Sequence, residues 1–205
     1  MVNEGISRDV DTREAVSRIH GMSQGLEEAI SLLYNAFIYN RETFIDEAEV
    51  IIRGVKDVEK ELTDALISAS KSDESARLFA SIPAHIERMA GNLEHIARSI
   101  RTKVRDSILF SDKAISEVSF LFQRTREILN TTSDLILARN TFIANYIKKS
   151  EAEIEHTANQ FATLHEERLV EGLCLPKSSG LYIVMLDSIK RIAYHAKEIA
   201  EKLTR

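Results

Sequence analysis

The sequence predicts an all-α protein: an elongated bundle of six helices built as two three-helix repeats. Three observations carry this reading. Helix breakers are scarce, with two prolines and seven glycines in 205 residues, which favours long helices over turn-rich folds. Apolar residues recur at alternating steps of three and four, the period of one helix face. Finally, no pair of alternating segments joined by an Asn-Gly or Asp-Gly turn occurs, so nothing marks a β-hairpin.

The elements follow in order. "DTRE", residues 11–14, offers Asp11 as an N-cap with Glu14 three positions on, the pattern of a capping box. Val16, Ile19, Leu26, Ile30, Leu33 and Phe37 then form the first stripe, with Ser23 in its one polar slot. The second helix is the cleanest: Phe44, Ala48, Ile51, Val55, Val58, Leu62, Ala65 and Ala69 step by four and three without a miss. "KSDES", residues 71–75, ends it and presents Asp73 as a new cap. The third helix carries Ile82, Ile86, Met89, Leu93, Ile96 and Ile100. Pro83 falls inside that pattern and either kinks the helix or marks its start, because proline cannot donate to the preceding turn.

The fourth helix carries Ile115, Val118, Phe122, Leu129, Leu135 and Ile136. The fifth begins near Asn140 or Thr141, carries Ile143, Ile147, Ile154, Phe161 and Leu164, and is stopped by Gly172 and Pro176. The sixth carries Tyr182, Met185, Ile189, Ile192, Ala196, Ile199 and Leu203.

The two halves repeat. With Ile86 set against Ile189, Arg88 meets Arg191, Ala90 meets Ala193, Ile96 meets Ile199 and Ala97 meets Ala200; "TFI" at 43–45 recurs at 141–143. The expected organisation is one domain over 1–205, with a first repeat at 11–105 and a second at 106–205. Either unit alone would leave an apolar stripe in water, and docking the two buries it.

Composition bounds the function. The net charge of −5 does not favour nucleic-acid binding, which wants a basic surface. The longest charge-free stretch, "AISLLYNAFIYN" at 29–40, falls short of the roughly twenty residues a membrane span needs. The N-terminus lacks a basic-plus-apolar leader. The single cysteine, Cys174, excludes an internal disulfide and fits a reducing compartment. Together these predict a cytoplasmic, soluble protein.

Chemistry-bearing motifs are few. The sequence has no nucleophile elbow, P-loop, Gly-rich dinucleotide turn or CxxC, so no catalytic residue is assigned. Bundles can hold metal through a Glu-x-x-His pair on each of two helices; here Glu153 and His156 form one such pair and no second exists. A basic run, Arg98, Arg101, Lys103 and Arg105, closes the third helix. Cations there complement the helix C-terminus, or they form a patch for phosphate, anionic lipid or an acidic partner.

"HIERMAGNLEHIARSI" at 85–100 and "SIKRIAYHAKEIAEKL" at 188–203 resemble the two copies of a "D-L-E-R-I-G-D-H-A-x-N-I-A-E" type motif on the third and sixth helices of the PhoU family of phosphate-signalling proteins. Residues 165–201 look closer still to the PhoU-like domain that forms the cytoplasmic tail of bacterial sodium–phosphate cotransporters. The resemblance implies two three-helix repeats and a carboxylate-lined surface for iron or zinc clusters. Carboxylates four apart share a helix face and can reach one hard cation together. Of the four implied positions, Glu87 is kept, while the others hold Gly91, Lys190 and Tyr194. His195 matches the family's histidine. Glu87 and His195 are therefore the remaining metal candidates, and no bound cofactor is expected.

The resemblance implies a non-enzymatic regulator of phosphate transport that docks to a membrane transporter or an associated sensor kinase. Two other readings fit the residues: a metal-binding bundle using Glu87, His195, Glu153 and His156, and a scaffold or homodimer with unrelated partners, using the stripe from Phe44 to Ala69 for intermolecular pairing.

Overall fold

A computed structural model describes residues 11–204. The stretch read for a leader lies outside them, as do the first ten residues of the expected first domain. Seven helices run in order: α1 Thr12–Tyr39, α2 Glu42–Ala69, α3 Glu74–Phe79, α4 Ile82–Arg105, α5 Asp112–Ala138, α6 Thr141–Val170 and α7 Pro176–Leu203. No strand occurs among the described residues.

Local chemistry sets these boundaries. Side chains of Asp11, Asp73, Ser111 and Asn140 accept from backbone N–H groups in the first turns of α1, α3, α5 and α6, satisfying donors that a helix start leaves orphaned. Asn40 and Arg139 close α1 and α5 in the left-handed region, and each returns its N–H to a carbonyl four residues back. Pro83 stands in the first turn of α4 and Pro176 in that of α7, where a missing N–H costs nothing. Pro83 thus marks a start, not a kink. The cap at Asp73 opens the short α3, an element additional to the six long helices expected.

The six long helices pack in two triplets. α1, α2 and α4 contact one another, and so do α5, α6 and α7; α1 meets α5 and α4 meets α7 across the middle. The core is continuous through all of them, from Ala15 and Ile19 on α1 to Leu203 on α7. This is the bundle expected, with the motif helices α4 and α7 packed directly on each other.

α2 refines the sequence reading. Ala48, Val55 and Leu62 are buried as the stripe requires. Phe44, Ile51 and Ala65 are only half-buried, and Ile45, Ile52 and Leu66, each one residue on, are the buried ones. α2 lies against both α1 and α4, so its buried arc is wider than one stripe and is turned toward the next residue. The face offered for intermolecular pairing is spent inside the first triplet. Gly25 of α1 lies close against it: a Cβ there would stand 3.2 Å from Ile51 Cγ2 and 3.3 Å from Val55 Cγ2.

Candidate functional site

The candidate site is the pair of motif helices and the seams on either side of them. α4 and α7 pack through small and branched side chains, among them Ala90, Ala97, Ala193 and Ala200, all buried. Small residues let the helices come close, and that closeness brings His85 and His195 together, Nδ1 to Nδ1 at 3.2 Å. Two neutral imidazoles satisfy this contact, one donating and one accepting. Burial holds each ring down to about 4, helped at His85 by Lys202 and Arg88 and at His195 by His85 and Arg88, against Glu198. His195, a sequence candidate for metal, is thus turned into the contact between the two triplets.

The positions for which the resemblance implies metal carboxylates lie toward the outer helices. Lys190 Nζ donates to Asn159 Oδ1 on α6 at 3.0 Å and stands 3.8 Å from Asp187. Tyr194 is half exposed, with Lys197 Nζ 5.2 Å from its ring centroid. Gly91 offers no donor, and a Cβ there would meet nothing within 4 Å. Glu87 is the one carboxylate left. One carboxylate, a glycine, an ammonium and a phenol, with the Lys197 ammonium beside that phenol, do not form a donor set for a hard cation, so the residues present do not fit an iron or zinc cluster. Among the described residues no three His, Cys, Asp or Glu side chains converge. Glu153 is engaged by Arg124 at 2.9 Å and Lys149 at 3.8 Å, and His156 is exposed.

Ion pairs occupy the seams instead. Between α2 and α4, Lys56 Nζ reaches both Glu94 oxygens at 3.0 Å. Between α6 and α7, Lys197 Nζ donates to Glu151 Oε1 at 2.8 Å. In the Ile86-to-Ile189 register Glu94 and Lys197 are the same position, so each repeat places an ion-pair partner there, with opposite sign, while the outer-helix partners Lys56 and Glu151 are not equivalent positions.

The basic run does not form one exposed patch, and that expectation is corrected here. Arg101 is folded onto α2, 2.8 Å from Asp46, 3.0 Å from Glu49 and 3.7 Å from Glu42. Lys103 is buried, donating to Phe37 O at 3.1 Å and to Asn40 Oδ1. Only Arg98, which donates to His95 Nδ1 at 2.7 Å, and Arg105, paired with Asp106 at 2.9 Å, remain exposed. Residues at 98, 101 and 105 share a face, whereas 103 lies on another; the run is contiguous in sequence but not on the surface.

Sequence reasoning missed the most heavily bonded cluster. Glu117 of α5, 2% exposed, accepts from Arg168 Nη1 at 3.1 Å and Nη2 at 2.7 Å, and from Tyr182 Oη at 2.7 Å. Burial and then Glu117 push the Tyr182 phenol well above its usual value. His165 stacks on Tyr182 with ring centroids 4.3 Å apart and places Nε2 2.7 Å from Ser179 Oγ. A catalytic Ser–His pair needs a third group to orient the ring, but His165 Nδ1 is buried and makes no hydrogen bond to the described residues. The cluster therefore reads as a lock across α5, α6 and α7. Its sequence signal was a glutamate in the buried arc of α5, three residues beyond Ala114.

With the geometry established, similarity to solved structures places the fold. The chain superposes on PhoU from Pseudomonas aeruginosa with TM-score 0.81 and 14% identity, covering 94% of this chain and 93% of that one. It superposes on the phosphate transport system regulatory protein PhoU from Streptococcus pneumoniae with TM-score 0.82 and 12% identity, covering 95% and 94%. The fold is the PhoU fold. No protein-family model matches the chain, and no curated protein matches it significantly by sequence. The PhoU-like fold extends across both triplets, as the repeated motif implied, even though the carboxylates of that motif are replaced.

Proposed function

We propose that this protein is a non-enzymatic regulator of phosphate transport, acting in the cytoplasm by docking to a membrane phosphate transporter or its associated sensor kinase. The observation that carries this reading is full-length likeness, over nine-tenths of both chains, to a solved phosphate transport system regulatory protein. No described helix is long and apolar enough to cross a membrane; on this reading the protein meets the membrane through the transporter or kinase to which it docks. The mechanism is a population shift: docking favours one transporter state by the difference in affinity between states. Fold alone does not fix function, and the test is direct. Affinity capture from detergent-solubilised membranes should recover a phosphate-transport membrane protein or its kinase; recovery of neither counts against the proposal.

The docking surface on this reading uses the exposed cations Arg98 and Arg105. A metal-dependent mechanism has less support, because Lys190 itself occupies one implied carboxylate position and Lys197 places positive charge beside Tyr194 at another.

A further inference from the structure

Lys103 stands out among the cations of this protein. It is 7% exposed, yet no carboxylate lies within ion-pair distance among the described residues, although on the same turns Arg101 has three and Arg105 has one. Its ammonium carries three donors. Phe37 O and Asn40 Oδ1 take two, which caps the C-terminus of α1. The third finds no acceptor among the described residues. The phenyl rings of Phe37 and Phe110 lie 5.0 Å and 6.0 Å from Nζ, contributing cation–π attraction but no charge neutralisation. Burial alone lowers the pKa of this lysine, with no opposing carboxylate. A charge desolvated without an ionic partner is costly.

The same lysine lines a cavity of about 490 Å³ between the C-terminal ends of α1 and α4 and the start of α5. Phe37, Ile38, Val104, Ile108, Phe110 and Ile115 form the apolar part of the wall, and Asn40 and Ser107 are its other polar members. The mouth carries Leu109, 75% exposed. An apolar cavity of this size with one convergent charge has the make-up of a small-molecule pocket, which runs to about 300–1,000 Å³. Inorganic phosphate alone would leave most of that wall uncovered. A neutral hydrocarbon would leave the ammonium unpaired.

We propose that this cavity binds a single-chain anionic amphiphile, its carboxylate or phosphate-monoester head on Lys103 Nζ and its alkyl chain along Phe37, Ile108, Phe110 and Ile115. The proposal does not depend on the regulatory reading above, and it changes the role of Lys103 from a surface contact to an internal ligand. The head group would accept from the free third donor while the α1 cap stays in place.

The test is calorimetric titration with decanoate and decyl phosphate, each below its micellar concentration, against decanol, decyltrimethylammonium and inorganic phosphate. Saturable binding of at least one of the two anionic amphiphiles, at least tenfold tighter than any of the other three probes, is expected; which of the two binds tighter identifies the head group. Lys103→Met keeps the aliphatic stem and removes the charge, and should weaken binding at least tenfold. Leu109→Glu changes an exposed side chain at the mouth and should also weaken binding, by placing negative charge and a hydrated carboxylate where the anionic amphiphile enters. Absence of saturable binding in the wild-type protein overturns the proposal. So does equal affinity for decanol, or unchanged affinity in a folded Lys103→Met or Leu109→Glu variant.

Discussion

His85 and His195 touch Nδ1 to Nδ1 at 3.2 Å between α4 and α7, joining the two triplets through a pair of uncharged rings. Because burial holds both down to about 4, the folded state binds fewer protons than the unfolded chain between that value and the usual value of 6.5. Stability therefore rises with pH across this window. The contribution is complete above pH 6.5 and is lost as pH falls toward 4. Urea denaturation midpoints at pH 7.5 and 5.0 should differ in the wild type, and the difference should shrink in His85→Leu with His195→Leu. Equal pH dependence in both would remove the pair as its cause.

The Glu117 cluster gives a stability prediction. Arg168→Met leaves a buried carboxylate with one hydrogen-bond donor, and removing one partner of a buried pair costs about 3–5 kcal/mol. Tyr182→Phe removes one hydrogen bond to the same oxygen and should cost about 1–3 kcal/mol. Chemical denaturation of both variants checks the order. Similar small losses would place Glu117 in a wetter setting than the geometry gives.

The two seam pairs, Lys56 with Glu94 and Lys197 with Glu151, should differ in strength. Glu151 is 8% exposed in its side chain, whereas Lys56 and Glu94 are each about one-third exposed. A double-mutant cycle on Lys56 and Glu94 should return about 0.2–1 kcal/mol, as exposed pairs do. Lys197→Met strands a buried carboxylate and should cost more than Lys56→Met. The comparison requires only thermal or urea midpoints for the two single variants.

Glycine positions on α1 and α4 separate helix propensity from packing. Gly91→Ala meets open space and should stabilise by up to about 1 kcal/mol, the propensity difference within a helix. Gly25→Ala gains the same propensity but presses on Ile51 and Val55, so it should stabilise less than Gly91→Ala or destabilise. Matched denaturation curves decide it.

Much of this architecture was legible in residue spacing, because the helix period and the capping chemistry at Asp11, Asp73 and Asn140 are local. Gly172 also announced its boundary, whereas Pro83 left a kink and a start equally open until the structure set it in the first turn of α4. What was not legible depends on a second helix. The buried arc of α2 includes Ile45 and Ile52 because α1 and α4 flank it, and one helix's pattern does not report where its neighbours lie. Arg101 and Lys103 read as a patch until α2 and α1 supply Asp46, Glu49, Phe37 O and Asn40 as their partners. The lost carboxylates at Gly91, Lys190 and Tyr194 were readable as residue types; the contacts that now occupy those seams were not.

The docking account is tested most directly in cells. A strain lacking this protein, complemented with the wild type or with Arg98→Glu plus Arg105→Glu, should be assayed for phosphate uptake and for its response to phosphate starvation. Arg101 stays unchanged, because its contacts with Asp46 and Glu49 hold α4 to α2. The account predicts altered uptake or response on deletion, rescue by the wild type, and weak rescue by the double variant at equal abundance. Normal uptake and a normal starvation response in the deletion strain would contradict it.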